Sequence, residues 1–274
     1  MIVLYILILL IIFLYSILIE PYHLIIKTVS VNVDGIRKNF DKIKIIHITD
    51  LHIKKIGYLE KKLINKINQL MPDILFVTGD FIKNNNGIEP CSEFFKNIKP
   101  KYGVYGVLGN NDYKQFFIIS IDTDNLKKSL SDVGVKLLFN EGYTLNINGV
   151  NIKIIGIEDS IYGKPDISKI INKDTNGYTN ILLSHSPSVI KYLNGFIPDL
   201  ILTGHTHGGQ VRLPFIEYLW TPLPLNSPRK YSRGLFEINK TKMYVNQGIG
   251  TNLFPMRFLC PPEISVIKLG SNSL

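Results

Sequence analysis

Cysteine is scarce in this chain. Cys91 and Cys260 stand 169 positions apart among 274 residues, which excludes a dense disulfide framework and a paired-cysteine metal knot. The chain has one Trp, no internal repeat, and no low-complexity tract beyond its first segment. Charge is missing altogether from residues 1–19, and no Lys or Arg precedes that run. What is abundant excludes a disordered or fibrous chain: 45% of residues are hydrophobic, with 14 Tyr and 14 Phe. The length suffices for one large α/β domain with a full core.

Residues 1–19 (MIVLYILILLIIFLYSILI) are apolar apart from Ser16. As a helix they span roughly 28 Å, about the thickness of a hydrocarbon core. A cleaved signal peptide wants a basic start, a shorter apolar core and a small-residue cleavage site, and none is visible. The expectation is a single-pass transmembrane anchor over 1–19, a linker over 20–40, and one catalytic domain over 41–270. Lys27, Arg37, Lys38, Lys42 and Lys44 follow the span, so the positive-inside tendency places the folded domain on the cytoplasmic side of the cell membrane. The net charge of +9 suits a domain held against an anionic leaflet, although a Lys-rich composition alone also accounts for it.

Hydrophobic periodicity gives strands at 43–49, 74–78, 104–108 and 135–139, with amphipathic helices at 57–70 and 124–133. Runs at 143–147 and 151–157 flank Asn148-Gly149, a hairpin signature because both turn positions need positive φ. Further strands are expected at 181–184, 200–203, 235–238, 242–246 and 264–269. Two packed sheets with helices outside fit this order.

Chemistry-bearing residues cluster just after strand ends: Asp50-Leu51-His52, Gly79-Asp80, Gly109-Asn110-Asn111-Asp112, Ser184-His185-Ser186 and Gly204-His205-Thr206-His207-Gly208-Gly209. Ligands bind beyond the carboxyl ends of strands in open α/β folds. Carboxylate, imidazole and amide oxygen suit divalent Mn, Fe, Zn or Ni. In an extended segment, residues two apart share a face, so Asp50 with His52, and His205 with His207, are expected to aim inward together. His47 on a strand and His23 beside the apolar run are expected to be structural.

These motifs resemble the calcineurin-like metallophosphoesterase superfamily, whose ordered signature D-x-H, G-D, G-N-H-D/E, H, G-H-x-H is met by DLH, GD, GNND, SHS and GHTH. The stretches GHTHGGQVRLP, YSRGLF and GIGTNLFPMRFLCPPEI are similar to its membrane-associated bacterial branch. The resemblance implies a four-layer α/β/β/α sandwich and two divalent metal ions, manganese foremost, with iron, zinc or magnesium as alternatives. It implies Asp50, His52 and His207 on one ion, Asn110, His185 and His205 on the other, and Asp80 bridging. The family's GNH histidine, which protonates the leaving oxygen, is replaced here by Asn111, and an amide has no proton to transfer at neutral pH. A phosphate leaving group needs that help least.

The expectation is therefore cleavage of an anhydride, as in the branch that hydrolyses UDP-2,3-diacylglucosamine to UMP and a lipid monophosphate. A broad phosphodiesterase or phosphatase acting on phospholipid or cell-envelope material, and a catalytically weak metal-binding scaffold, are the alternatives. Asn111, Arg212, Arg233 and Arg257 are the expected substrate contacts, with Arg229 and Lys230 nearby and Phe215, Leu219 and Trp220 available to acyl chains. A solvated charge face over a packed loop explains the same arginines. No nucleic-acid or obligate protein partner is expected.

Overall fold

Why strands 45–48 and 74–78 carry almost no polar residue is explained by where they lie. In a computed structural model, which describes all residues except 34–42, 114, 117–118, 172–176, 214–215, 221–229 and 272–274, both are central parallel strands covered on two faces. Phe215 and Arg229 lie outside the described residues, as do the side chains of Leu219 and Trp220.

The first half of the chain contributes α1 (Ile2–Leu18), β1 (Ile25–Val33), β2 (Ile45–Ile48), α2 (Tyr58–Leu70), β3 (Ile74–Thr78), α3 (Ile88–Lys96) and β4 (Val104–Val107). A small hairpin, β5 (Gln115–Phe116) and β6 (Ile119–Ser120), precedes α4 (Thr123–Asp132) and β7 (Val135–Leu137). The second half supplies β8 (Glu141–Ile147), β9 (Val150–Gly156), α5 (Ser168–Ile171), β10 (Thr179–Leu183) and β11 (Leu200–Thr203). A ribbon of β12 (Val211–Leu213) and β13 (Ile216–Trp220) follows, then β14 (Gly234–Ile238), β15 (Thr241–Val245) and β16 (Glu263–Ser271).

The strands form two six-stranded sheets, in the orders β1-β16-β2-β3-β4-β7 and β14-β15-β11-β10-β9-β8. Alternation along each strand divides its side chains between two cores. Ile45, Phe76, Tyr105, Ile154, Leu183 and Leu202 fill the space between the sheets. Ile46, Ile48, Leu75 and Val77 turn outward onto Leu63 and Ile67 of α2, Phe94 and Phe95 of α3, and Leu126 and Leu130 of α4. Ile155, Leu182, Ile201 and Met243 cover the far face of the second sheet, against Ile167, Ile170 and Val189. Three cores separate four layers, and this is the α/β/β/α sandwich. The Asn148-Gly149 turn has positive φ at both positions, 52° and 80°, and joins β8 to β9 as its sequence requires.

The stretch expected as a linker departs from that reading. Residues 25–33 form an edge strand paired in parallel with β16 from Ile25↔Glu263 to Val33↔Ser271. Val29, Val31 and Val33 alternate inward, a period-two pattern that secures the strand to the core. The end of α1 is also docked. Ser16 is buried and its carbonyl accepts from Arg257 N at 2.8 Å, while Glu20 Oε1 accepts from Cys260 N at 2.5 Å. Tyr15 meets Phe258 edge to face at 6.4 Å. The rest of α1 is exposed, and the helical segment Ile2–Tyr22, with mean hydropathy 3.2, is long and apolar enough to cross a membrane by length and composition.

Candidate metal centre

Each expected ligand leaves the carboxyl end of a central strand. Asp50 and His52 follow β2, Asp80 follows β3, Asn110 follows β4, His185 follows β10, and His205 with His207 follow β11. Backbone bonds stitch these turns together: Asp50 N to Gly79 O at 3.0 Å, His52 N to Asp80 O at 3.0 Å, and Gly204 N to His185 O at 2.9 Å. Residues from both sheets therefore meet at one edge of the sandwich.

The turns are not extended segments, contrary to the two-residue-alternation argument. Asp50, His52, Asp80, His205 and His207 all have positive φ, between 47° and 69°. That region disfavours non-glycine residues by about 1–2 kcal/mol each, so the surrounding packing must hold them there. The close approach of the chains explains one glycine directly: a β-carbon at Gly204 would overlap the Thr49 hydroxyl and the Asp50 carboxylate.

All seven expected ligands converge, in two sets that share Asp80. In the first, His207 Nε2 lies 3.3 Å from Asp50 Oδ1 and 3.1 Å from His52 Nε2, and His52 Nε2 lies 3.5 Å from Asp80 Oδ2. In the second, His185 Nε2 lies 3.4 Å from Asp80 Oδ1, 3.0 Å from Asn110 Oδ1 and 3.0 Å from His205 Nδ1. Atoms held about 2.0–2.2 Å from one cation stand about 3.0–3.5 Å from each other, so both sets have the spacing of a coordination shell. In the first set the ligand atoms of Asp50, His52, Asp80 and His207 all lie within 4.8 Å of one another.

The donor atoms are also prepared for a cation. Asp50 Oδ2 accepts from Thr49 Oγ1 and from His205 N, both at 2.8 Å, whereas its buried Oδ1 has no hydrogen-bond partner. His185 Nδ1 is 2.7 Å from the Thr78 carbonyl, which orients the ring and turns Nε2 to the centre. Burial lowers His52 and His205 from 6.5 to about 3, so both rings are neutral at pH 7 and keep a nitrogen lone pair. Burial also opposes charge on His185 and Asp80, but their mutual attraction prevails, with His185 held well above its usual range and Asp80 well below. Burial raises Asp50 to about 6, a cost that a bound cation would remove.

Asn111 donates from its backbone to Asp80 Oδ1 at 2.8 Å and from its side chain to Asp80 Oδ2. Motif spacing gives no separate role to Asp112, yet it is fully buried and accepts from Gly109 N and Phe81 N, both at 2.9 Å. It thereby ties the turn carrying Asn110 to the turn carrying Asp80. Burial, reinforced by Asp80, pushes its carboxyl up to about 8. His47 is a buried strand residue bonded to Thr78 Oγ1 at 2.8 Å, and His23 is exposed.

The expected arginine contacts divide. Arg212 donates to the Gly208 carbonyl at 2.9 Å, and Arg233 donates to Gln247 Oε1 and the Leu259 carbonyl, each at 3.2 Å, with its Cδ 3.5 Å from where a β-carbon on Gly208 would stand, so both lie beside the turn that carries His207. Arg257 is a correction. It is 0% exposed and its guanidinium bonds the carbonyls of Gln247, Gly250 and Cys260. A side chain committed to three backbone carbonyls serves the fold, not a ligand in solvent.

The calcineurin-like phosphoesterase family profile matches residues 43–209, more than half of the chain and the span holding all seven candidate ligands. The metallophosphoesterase YkuE of Bacillus subtilis is 30% identical over 266 residues, covering 94% of this chain and 90% of its own length. The UDP-2,3-diacylglucosamine pyrophosphatase LpxG of Chlamydia muridarum is 27% identical over 282 residues, covering 82% of this chain and 83% of its own length. A solved phosphopantetheinyl hydrolase from Mycobacterium tuberculosis aligns over 78% of this chain and 94% of its own, with a TM-score of 0.48 and 11% identity. On the profile match and the YkuE likeness, the chain belongs to the calcineurin-like phosphoesterase family and is a metal-dependent phosphoester hydrolase.

Proposed function

We propose that the protein is a membrane-anchored phosphohydrolase that cleaves the pyrophosphate of a nucleotide-linked lipid of the UDP-2,3-diacylglucosamine type, on the cytoplasmic side of the cell membrane. One observation carries the reading: two sets of ligand-type atoms share the two oxygens of Asp80. Asp50, His52, His207 and Asp80 would hold one divalent ion; Asn110, His185, His205 and Asp80 would hold the other. Bound there, the ions would supply Lewis acidity toward a phosphoryl group and offset charge developing during in-line displacement.

The protein's own residues set the rest. Thr49, Thr78 and the His205 amide fix Asp50 and His185, so the centre is organised before substrate arrives. The Asn111 amide, aimed at Asp80, lies where it can donate to a phosphoryl oxygen, but it cannot protonate a departing alkoxide. A lipid monophosphate or UMP leaves as a phosphate, with a second pKa near 6, and needs no such proton. Arg212 and Arg233, beside the His207 turn, are suited to the substrate's second phosphate. The apolar helix supports membrane residence, and the LpxG likeness supports the nucleotide-lipid class.

The test is a product assay. The full chain, reconstituted in detergent with Mn²⁺, is expected to release UMP from UDP-2,3-diacylglucosamine faster than p-nitrophenol from bis-p-nitrophenyl phosphate. Faster cleavage of the diester would favour a broad phosphodiesterase. Tight Mn²⁺ binding without turnover of either would leave a scaffold.

A further inference from the structure

Leu18, Pro21 and Tyr22, where the apolar helix gives way to the domain, share the lining of one groove with His52 of the metal centre. The groove holds about 800 Å³, within the roughly 300–1,000 Å³ of small-ligand sites. Its apolar wall includes Leu51, Leu59, Ile249 and Leu253, and Tyr58 stands on its rim beside Tyr22, ring centroids 6.3 Å apart. Leu253 is 70% exposed and Tyr58 67%, a large apolar display close to where the helix leaves the domain. Lys54, Lys55 and Lys83 also line it, against a single acidic residue, Glu60, whose carboxylate accepts from Gly57 N at 2.8 Å.

We propose that this groove seats one acyl chain of a phosphate-bearing lipid that enters sideways from the leaflet, with its phosphate carried past Lys54 and Lys55 to the His52 side of the centre. The proposal rests on the membrane-phosphohydrolase reading above and adds a lipid-chain subsite to it. Two features commit the groove to a lipid. It is continuous with the segment that meets the membrane, since α1 contributes Leu18 to its lining. Its exposed Lys54 and Lys55 complement a phosphate, Lys83 being bonded to the Thr251 and Asn252 carbonyls, whereas its long apolar wall offers nothing to a nucleotide base or sugar that a chain of methylenes would not use better.

The docking of α1 makes this geometry persistent. The Ser16–Arg257 and Glu20–Cys260 bonds, with the Lys62 Nζ bond to the Tyr22 carbonyl at 3.0 Å, hold the helix exit against the domain. The groove mouth therefore stays at one height relative to the span instead of swinging on a tether.

The test uses the full chain, loaded with Mn²⁺, in phosphatidylcholine vesicles carrying phosphatidic acid with a diazirine on one acyl chain. Irradiation is expected to label peptides covering residues 51–60 and 249–255 besides the helix itself. Leu253→Asp, a change at an exposed position, is expected to cut that domain labelling by about fivefold or more. In parallel, the same variant is expected to raise KM for a long-chain lipid substrate at least about tenfold more than for its short-chain, water-soluble analogue. Labelling confined to the helix, or equal KM changes on both substrates, would overturn the groove. Absence of turnover on both substrates would overturn the enzymatic reading instead, while the labelling pattern still decides the groove.

Discussion

His52 and His207 face each other with their Nε2 atoms 3.1 Å apart and their rings stacked at 5.0 Å. Burial moves His52 down to about 3 and His207 well below 6.5, so the pair meets as two neutral rings. Their Nε2 atoms converge beside Asp50 Oδ1, which has no hydrogen-bond partner. The arrangement is costly without a cation and favourable with one.

Metal is therefore expected to stabilise the fold. At about a hundred times its dissociation constant, Mn²⁺ should add about 2.7 kcal/mol per site, seen as a rise in melting temperature that chelator reverses. Asp80→Asn should reduce bound metal at both sites and lower turnover by about 10³-fold or more, equivalent to about 4 kcal/mol. Asp50→Asn should spare the second site. Elemental analysis of the purified variants separates the two, and equal metal loss in both would remove Asp80 from its bridging position.

The second set behaves differently with pH. His185 is held above its usual range by Asp80, so in the metal-free protein a proton occupies the nitrogen that a cation needs. Below that raised pKa, binding at this set must displace the proton, and its affinity should climb with pH by about tenfold per unit. His52 and His207 are already neutral at pH 7 and give the first set no such dependence in that range, and His205, in the second set, is neutral as well and adds no further proton. Calorimetric Mn²⁺ titration in buffers of different ionisation enthalpy should show close to one proton released for one of two binding events. Two events without proton release would contradict the assignment.

Much of the convergence of these side chains is legible in the sequence because the candidate ligands come in short motifs at the ends of strongly apolar strands. Ile74–Thr78 and Leu200–Thr203 have the bounds their hydrophobic runs dictate. Local motifs do not encode the backbone at Asp50 and His52, where packing between two sheets imposes positive φ on residues that would otherwise extend. The edge strand Ile25–Val33 was hidden by its neighbour, since a long apolar run makes the following residues look like a tether. Its pairing with Glu263–Ser271 joins the two ends of the chain and leaves no local trace. α3 is short and carries Pro90 in its first turn, where proline is tolerated, and its buried face is just Ile88, Cys91, Phe94 and Phe95, too brief a run to establish a helical period. Asp112 follows Asn110 and Asn111 in one motif, but its role is to hold two turns together, which needs the third dimension to see.

Asn111→His should restore a proton donor beside Asp80. General-acid help contributes about 10²–10⁴-fold where the leaving group is basic and little where it is a phosphate. Turnover of an alkyl phosphodiester should therefore rise by at least about tenfold more than that of a nucleotide-lipid anhydride, with a new descending limb at alkaline pH. Parallel rate ratios on the two substrates would show that Asn111 is not what selects the leaving group.

Arg257 tests the division between arginines that serve the fold and those beside the site. Its guanidinium has no exposed surface and bonds three backbone carbonyls, and its own amide bonds Ser16 O at the end of the apolar helix. The segment it organises reaches the centre, because Gly250, whose carbonyl it bonds, donates its amide to the Asp50 carbonyl at 2.7 Å. Arg257→Ala leaves those carbonyls buried without donors, at a cost of about 3 kcal/mol or more. Arg257→Lys keeps the charge but offers a single nitrogen in place of the planar fork, and should recover only part of the loss. Arg233→Ala, at a partly exposed position, should raise KM while leaving the melting temperature nearly unchanged. A normal melting temperature for Arg257→Ala with a raised KM would return Arg257 to the substrate side.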